Sequence, residues 1–244
     1  MAKLLLQVLA VAICCWPLPH LAANWQDLHR QYPEAQLQSI QTATLPFSVL
    51  MREASAPRKG TVVLMPAANL PVAPELFFNL YHQLPDQGWT LIMLPAPDYH
   101  QQSGSFTDFQ QQLLSRWQSL QSLIAQGPII LIAEGNTAGL LQGLLSERAI
   151  ANISALVSIG AYWPEPAYNN LIQQQLINHN LPVLDIVSPS FHPATQATAL
   201  QRQVQARMTN PLYRQYPLLG VDQHPALLTT QVKTLLGWLQ TSGF

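Results

Sequence analysis

Apolar residues in this chain gather in short runs rather than in strict alternation. TVVLMPA (61–67), WTLIMLPAP (89–97), PIILIAEG (128–135), ISALVSIGAYW (153–163) and LPVLDIVS (181–188) are dominated by apolar side chains, the pattern of strands buried on both faces. Between them, PELFFNLYHQLPDQG, TDFQQQLLSRWQSLQSLIAQ, TAGLLQGLLSERA, EPAYNNLIQQQLINHN, ATQATALQRQVQARM and ALLTTQVKTLLGWLQ keep apolar residues at helical spacing. YRQYPLLGV adds a last short strand before the final helix. Residues 37–54 (LQSIQTATLPFSVLMREA) alternate roughly, with a break at Pro46, and read as an antiparallel pair at one edge of the sheet. Buried strands alternating with helices predict parallel strands joined by right-handed crossovers. The expected fold is one doubly wound, mostly parallel α/β domain with an antiparallel N-terminal edge and helices on both faces.

The opening MAKLLLQVLAVAICCWPLPHLAA stands apart from that rhythm. Lys3, an apolar run from Leu4 to Trp16, a proline break and the small pair Ala22–Ala23 have the layout of a secretory signal peptide spanning residues 1–23. The run is shorter than the ~20 residues a membrane helix needs. The expected mature chain, residues 24–244, is therefore a single soluble domain without a transmembrane segment, and its expected compartment is the periplasm. Both cysteines, Cys14 and Cys15, fall inside the leader, so the mature chain would hold neither disulfide nor thiol nucleophile. Lipidation at either remains an open alternative, although Ile13 stands where a lipoprotein signal wants a small residue.

Charge is sparse, at 9% of residues with a net of −1, and no basic run or stripe is present, which argues against nucleic acid. Gly-x-Gly-x-x-Gly and P-loop patterns are absent, no His, Asp or Glu cluster has metal spacing, and no cofactor is expected.

In sheets of this kind ligands collect at the C-terminal ends of the strands. Four strand exits carry candidate chemistry: the Pro-Ala-Ala-Asn loop with Ala67 and Ala68, the turn Glu134-Gly135-Asn136-Thr137, the stretch from Asp185 to His192, and His224 before the last helix, two residues after Asp222. In chain order these resemble the α/β-hydrolase family, whose triad runs nucleophile, acid, histidine. Ala133-Glu134-Gly135-Asn136-Thr137 lies where that family has G-x-S-x-G and matches none of its three defining residues. Together with LPVLDIVS and VDQH, the turn is similar to an uncharacterised family of secreted proteobacterial α/β-hydrolase-like proteins, domain of unknown function 3530. The elbow of that family often reads Gly-His-Gly-Thr-Gly-Ala and already lacks serine. The resemblance implies a hydrolase scaffold with a degenerate nucleophile elbow.

A serine at the elbow works because the turn lifts its Oγ toward a histidine while backbone N–H groups stabilise the oxyanion. Glycine supplies the turn and nothing to attack with. The backbone N–H groups of Asn136, Thr137, Ala67 and Ala68 could still form an anion site. Thr137 could instead cap the helix. For residual catalysis His224 is the candidate base, Glu134 a base acting on water, and Asp185 an orienting acid, although Asp185 lies inside its strand and reads equally as structural. Glu165, Ser188 and Ser190 are further substitutes. PDYHQQSGSF (97–106) and AYWPEPAYNN (161–170) are aromatic, and Tyr99, Tyr162, Trp163 and Tyr168 are the candidate pocket lining. Two functions follow: a non-catalytic binder of a small molecule, a peptide or an envelope protein, or an esterase-like hydrolase using a displaced nucleophile or an activated water with His224.

Overall fold

A computed structural model describes residues 36–41, 46–68, 74–97, 104–218 and 225–244, all within the unit Glu34–Phe244. His224, Asp222 and Tyr99 lie outside the described residues, as does the whole of the expected leader.

The buried runs form the strands they predict. The sheet consists of β1 (Gln36–Ile40), β2 (Phe47–Arg52), β3 (Gly60–Met65), β4 (Trp89–Met93), β5 (Ile129–Glu134), β6 (Ala155–Ile159), β7 (Val183–Val187) and β8 (Tyr213–Pro217), in the spatial order β1-β2-β4-β3-β5-β6-β7-β8. β1 and β2 pair antiparallel, with Gln38 opposite Val49, and β2 joins β4 in the same sense. From β4 to β8 every pairing is parallel. β3, β4, β5 and β6 are buried along their whole length, so their runs of Val, Leu and Ile face a helix layer on either side.

The helices are α1 (Pro74–Gln83), α2 (Phe106–Leu120), α3 (Gly135–Ser146), α4 (Pro166–Ile177), α5 (Pro193–Thr209) and α6 (Pro225–Thr241). α2 begins on a capping box: the Ser105 hydroxyl accepts the Asp108 N–H, and the Asp108 carboxylate accepts the Ser105 N–H at 2.8 Å. Its inner face of Phe106, Phe109, Leu113, Trp117 and Leu120 has the spacing the sequence predicts. The α-helix is shorter than the predicted 107–126, tightening into a 3-10 turn at Gln121–Leu123 before Ile124 turns extended toward Gly127 and Pro128.

α5 reverses the usual arrangement. Its buried residues are Thr195, Thr198, Arg202 and Ala206, whereas Leu200, Val204 and Met208 are 72%, 53% and 86% exposed. The polar inner face holds because Asp185 on β7 receives the Arg202 Nε–H at 2.8 Å, the Tyr213 hydroxyl and the Gln215 amide. Arg202 also donates to the Thr198 hydroxyl and, more weakly, to the Thr195 carbonyl.

β8 is the outermost strand on that side. The bonds from the Val183 N–H to the Leu212 carbonyl and from the Leu218 N–H to the Val187 carbonyl turn the even-numbered residues toward β7. Tyr213, Gln215 and Pro217 therefore turn their backbone outward. The Tyr213 N–H is bonded to the Asn210 carbonyl, its own carbonyl accepts from Arg214, and Pro217 has no N–H.

Candidate functional site

Glu134 ends β5 in extended conformation, and the next residue, Gly135, takes φ 58 as it opens α3. That left-handed turn is the geometry of a nucleophile elbow, and at this apex the chain carries no side chain. Every residue from Ile129 to Leu145 is buried, so the elbow is packed on all sides. The packing depends on close backbone approach at Gly139, where an added Cβ would come within 2.4 Å of the Tyr162 carbonyl oxygen. Gly139→Ala should therefore cost about 1–3 kcal/mol in chemical denaturation. Gly237→Ala on α6, where a Cβ would meet nothing within 4 Å, should gain about 1 kcal/mol. A neutral Gly139→Ala would show that the loop after β6 gives way.

The elbow is joined to the loop after β3 by two hydrogen bonds between residues 67 and 68 positions apart. The Ala67 N–H donates to Glu134 Oε1 at 3.1 Å, and the Ala68 N–H donates to Asn136 Oδ1 at 2.9 Å. Glu134 and Asn136 are 1% and 4% exposed. These two N–H groups lie in the loop from which the hydrolase scaffold draws part of its oxyanion hole. Here they already have acceptors from the chain itself, Glu134 Oε1 and Asn136 Oδ1. Two of the four N–H groups of the expected anion site, those of Ala67 and Ala68, thus already have acceptors within the chain. An incoming oxyanion would have to displace these hydrogen bonds, each worth roughly 0.5–1.5 kcal/mol.

The other sequence candidates separate in space and in role. Thr137 is buried, but its hydroxyl makes no cap bond and has no hydrogen-bond partner among the described residues. Asp185 is not at a strand exit: enclosed by Arg202, Tyr213 and Gln215 and 0% exposed, it is a structural ion-pair partner bonded to side chains rather than an orienting acid. Burial alone would ease the proton off Arg202, but the Asp185 carboxylate and Tyr213 outweigh it and hold the guanidinium pKa above its usual value. The Tyr213 hydroxyl is pushed well above the phenol range by burial first and the adjacent Asp185 charge second. Ser188 and Ser190 bond to one another, Oγ to Oγ at 3.0 Å. Glu165 stands exposed at the start of α4 and makes no side-chain cap.

The aromatic candidates also divide. Trp163 is 2% exposed and belongs to the core, its ring edge-on to Phe106 at 4.9 Å. Tyr168 lies on the surface, stacked on the other face of that cluster against Phe106 at 4.5 Å. Tyr162 is half-buried and stacks flat on His192 at 4.1 Å, with 5° between the rings. Asn169, not singled out by its sequence, positions this region: its Oδ1 accepts the Trp163 N–H and its Nδ2 donates to the Ala194 carbonyl, tying the loop after β6 to α5. The signal was an amide in the first turn of a helix that follows a strand exit. Among the described residues no three His, Cys, Asp or Glu side chains are grouped to hold a metal, and no helix is long and apolar enough to cross a membrane.

The same architecture recurs in solved hydrolases of very different sequence. The esterase domain of a Rhodothermus marinus protein superposes with a TM-score of 0.64 at 11% identity, over 85% of this chain and 98% of that one. Thermogutta terrifontis esterase 2, solved phosphoramylated by tabun, gives a TM-score of 0.67 at 10% identity, over 87% of this chain and 96% of its own. Dienelactone hydrolase from Anabaena variabilis gives 0.61 at 15% identity, over 85% and 98%. At such identities the likeness establishes the α/β-hydrolase fold. No curated protein matches the sequence. A family profile matches residues 107–241, more than half of the chain and including the elbow, α5 and β8, so the chain belongs to the family described as protein of unknown function (DUF3530).

Proposed function

We propose that this protein is an exported, periplasmic member of the α/β-hydrolase-like group that binds a small molecule, a peptide or an envelope protein and does not turn over an ester. The observation that carries the reading is the closed elbow: Gly135 offers no nucleophile, and Glu134 and Asn136 hold the Ala67 and Ala68 N–H groups an oxyanion would need. The leader-like residues 1–23 support export of a mature chain 24–244. The aromatic surface of Tyr162 and Tyr168, beside the β6 exit, supports a binding role at the same end of the sheet.

The test is catalytic silence. The purified protein should hydrolyse short-chain nitrophenyl esters no faster than buffer, and His224→Ala should change nothing. Gly135→Ser should also stay silent and resist a fluorophosphonate probe, because the added hydroxyl leaves Glu134 and Asn136 where they are. A His224-dependent rate in the native protein would overturn the reading in favour of an activated water. Labelling of Gly135→Ser at residue 135 would show that the oxyanion donors are open.

A further inference from the structure

The α4–α5–β8 side of the molecule has a surface of unusual composition. Leu200, Val204 and Met208 follow one another at i, i+4 and i+8 along the outermost line of α5, opposite the buried Arg202 and Ala206. Leu212, in the turn to β8, and Leu171 on α4 are 48% and 43% exposed. A surface helix normally shows the reverse pattern, apolar inside and polar outside. Exposed apolar residues are ordinary when scattered; a contiguous stripe of them marks an interaction surface.

A cleft of about 320 Å3 opens at the C-terminal end of the same helix, lined by Gln203, Arg207, Asn210 and Arg214 among others. The Asn210 side chain is committed to the His179 carbonyl and the Leu212 N–H, so the two guanidinium groups set the charge of the cleft. Arg214 bonds the Pro211 and Tyr213 carbonyls through one nitrogen, and Arg207 has no acceptor among the described residues. Among the described residues no carboxylate lines the cleft, and between Glu165 and Asp222 the sequence contains only Asp185, which is buried against Arg202.

We propose that the outer face of α5, together with the Arg207–Arg214 cleft, docks the protein onto a bilayer surface carrying anionic phospholipid. The apolar line enters the boundary between headgroups and acyl chains while the two arginines meet lipid phosphates, the division of labour of an interfacial helix. A second copy of this chain would set the Arg207 and Arg214 pairs against each other, a like-charge arrangement that disfavours it. A folded protein partner would need a surface shaped to match, whereas a bilayer requires only apolar side chains standing clear of the surface with cations beside them.

Flotation of the purified protein with vesicles tests this. It should float with phosphatidylcholine vesicles containing phosphatidylglycerol and remain behind with phosphatidylcholine alone, and added salt should weaken the binding. Arg207→Gln with Arg214→Gln should weaken it about 30-fold, and Leu200→Gln with Met208→Gln by about tenfold or more. All four positions face solvent or the open cleft, so thermal melting should be nearly unchanged and should show that each variant is folded. Absence of flotation, or binding indifferent to both double variants, would overturn the proposal. So would a concentration-dependent dimer in light scattering that Leu200→Gln abolishes, because the face would then belong to a second copy. None of these readouts involves ester chemistry, so the outcome is separate from that of the elbow.

Discussion

Asp185→Ala is expected to destabilise the protein by about 3–5 kcal/mol, measured by urea or guanidinium unfolding. The loss arises less from the attraction removed than from the charge left behind: Arg202, 1% exposed, would keep a buried cation with no counter-ion, and Tyr213 and Gln215 would lose their shared acceptor. The intact pair is itself imperfect. Asp185 Oδ1 and Arg202 Nη2 have no hydrogen-bond partner among the described residues, so part of the desolvation cost is not offset. Replacing both members with apolar residues of similar size, as in Asp185→Leu with Arg202→Met, should restore native stability or exceed it by about 1–4 kcal/mol. A double variant as unstable as Asp185→Ala would mean that the network, rather than one stranded charge, holds α5 to the sheet.

The second large effect is one of pH. His179 is 7% exposed, and its Nε2–H donates to Gln142 Oε1 at 2.7 Å, an assignment fixed by the Gln142 amide donating to the Ala138 carbonyl. Burial lowers its pKa from 6.5 to about 4. Above pH 6.5 the ring is neutral in the folded and unfolded chains alike, and its contribution is fully present. As pH falls from 6.5 to 4 the unfolded chain takes up a proton that the native site refuses, and stability drops by on the order of 3 kcal/mol. Unfolding curves at pH 7 and pH 4 should show that loss in the native protein and a correspondingly smaller one in His179→Gln, where the amide can still bond Gln142. Equal losses in the two would place the acid sensitivity elsewhere.

The sequence and the structure part company where distance or orientation decides. β3, β5 and β6 were legible because strands covered on both faces are apolar along most of their length, and the antiparallel β1–β2 edge because it alternates. The elbow was legible at Gly135 because few residues other than glycine adopt φ 58 readily. What occupies it was not: the bonds from Ala67 to Glu134 and from Ala68 to Asn136 join positions separated by 67 and 68 residues, and taken alone Glu134 reads as a base for water and Asn136 as a backbone donor. Asp185 gave a period-2 position and no hint of its partner, because Arg202 in a glutamine-rich helix looks like a solvated charge. The same pair explains α5: Leu200, Val204 and Met208 have the spacing of a core-facing stripe, and the buried charge and its threonines turn them outward.

The outer rim at β8 limits how copies of this protein can meet. With the Tyr213 N–H and carbonyl engaged within the chain and Pro217 unable to donate, Gln215 alone among the described residues of β8 offers an open pair of main-chain groups along that border. A strand arriving from a neighbour would find along Tyr213–Pro217 a single rung where a ribbon needs several, which makes β8 a poor template for fibril-like growth even at high local crowding.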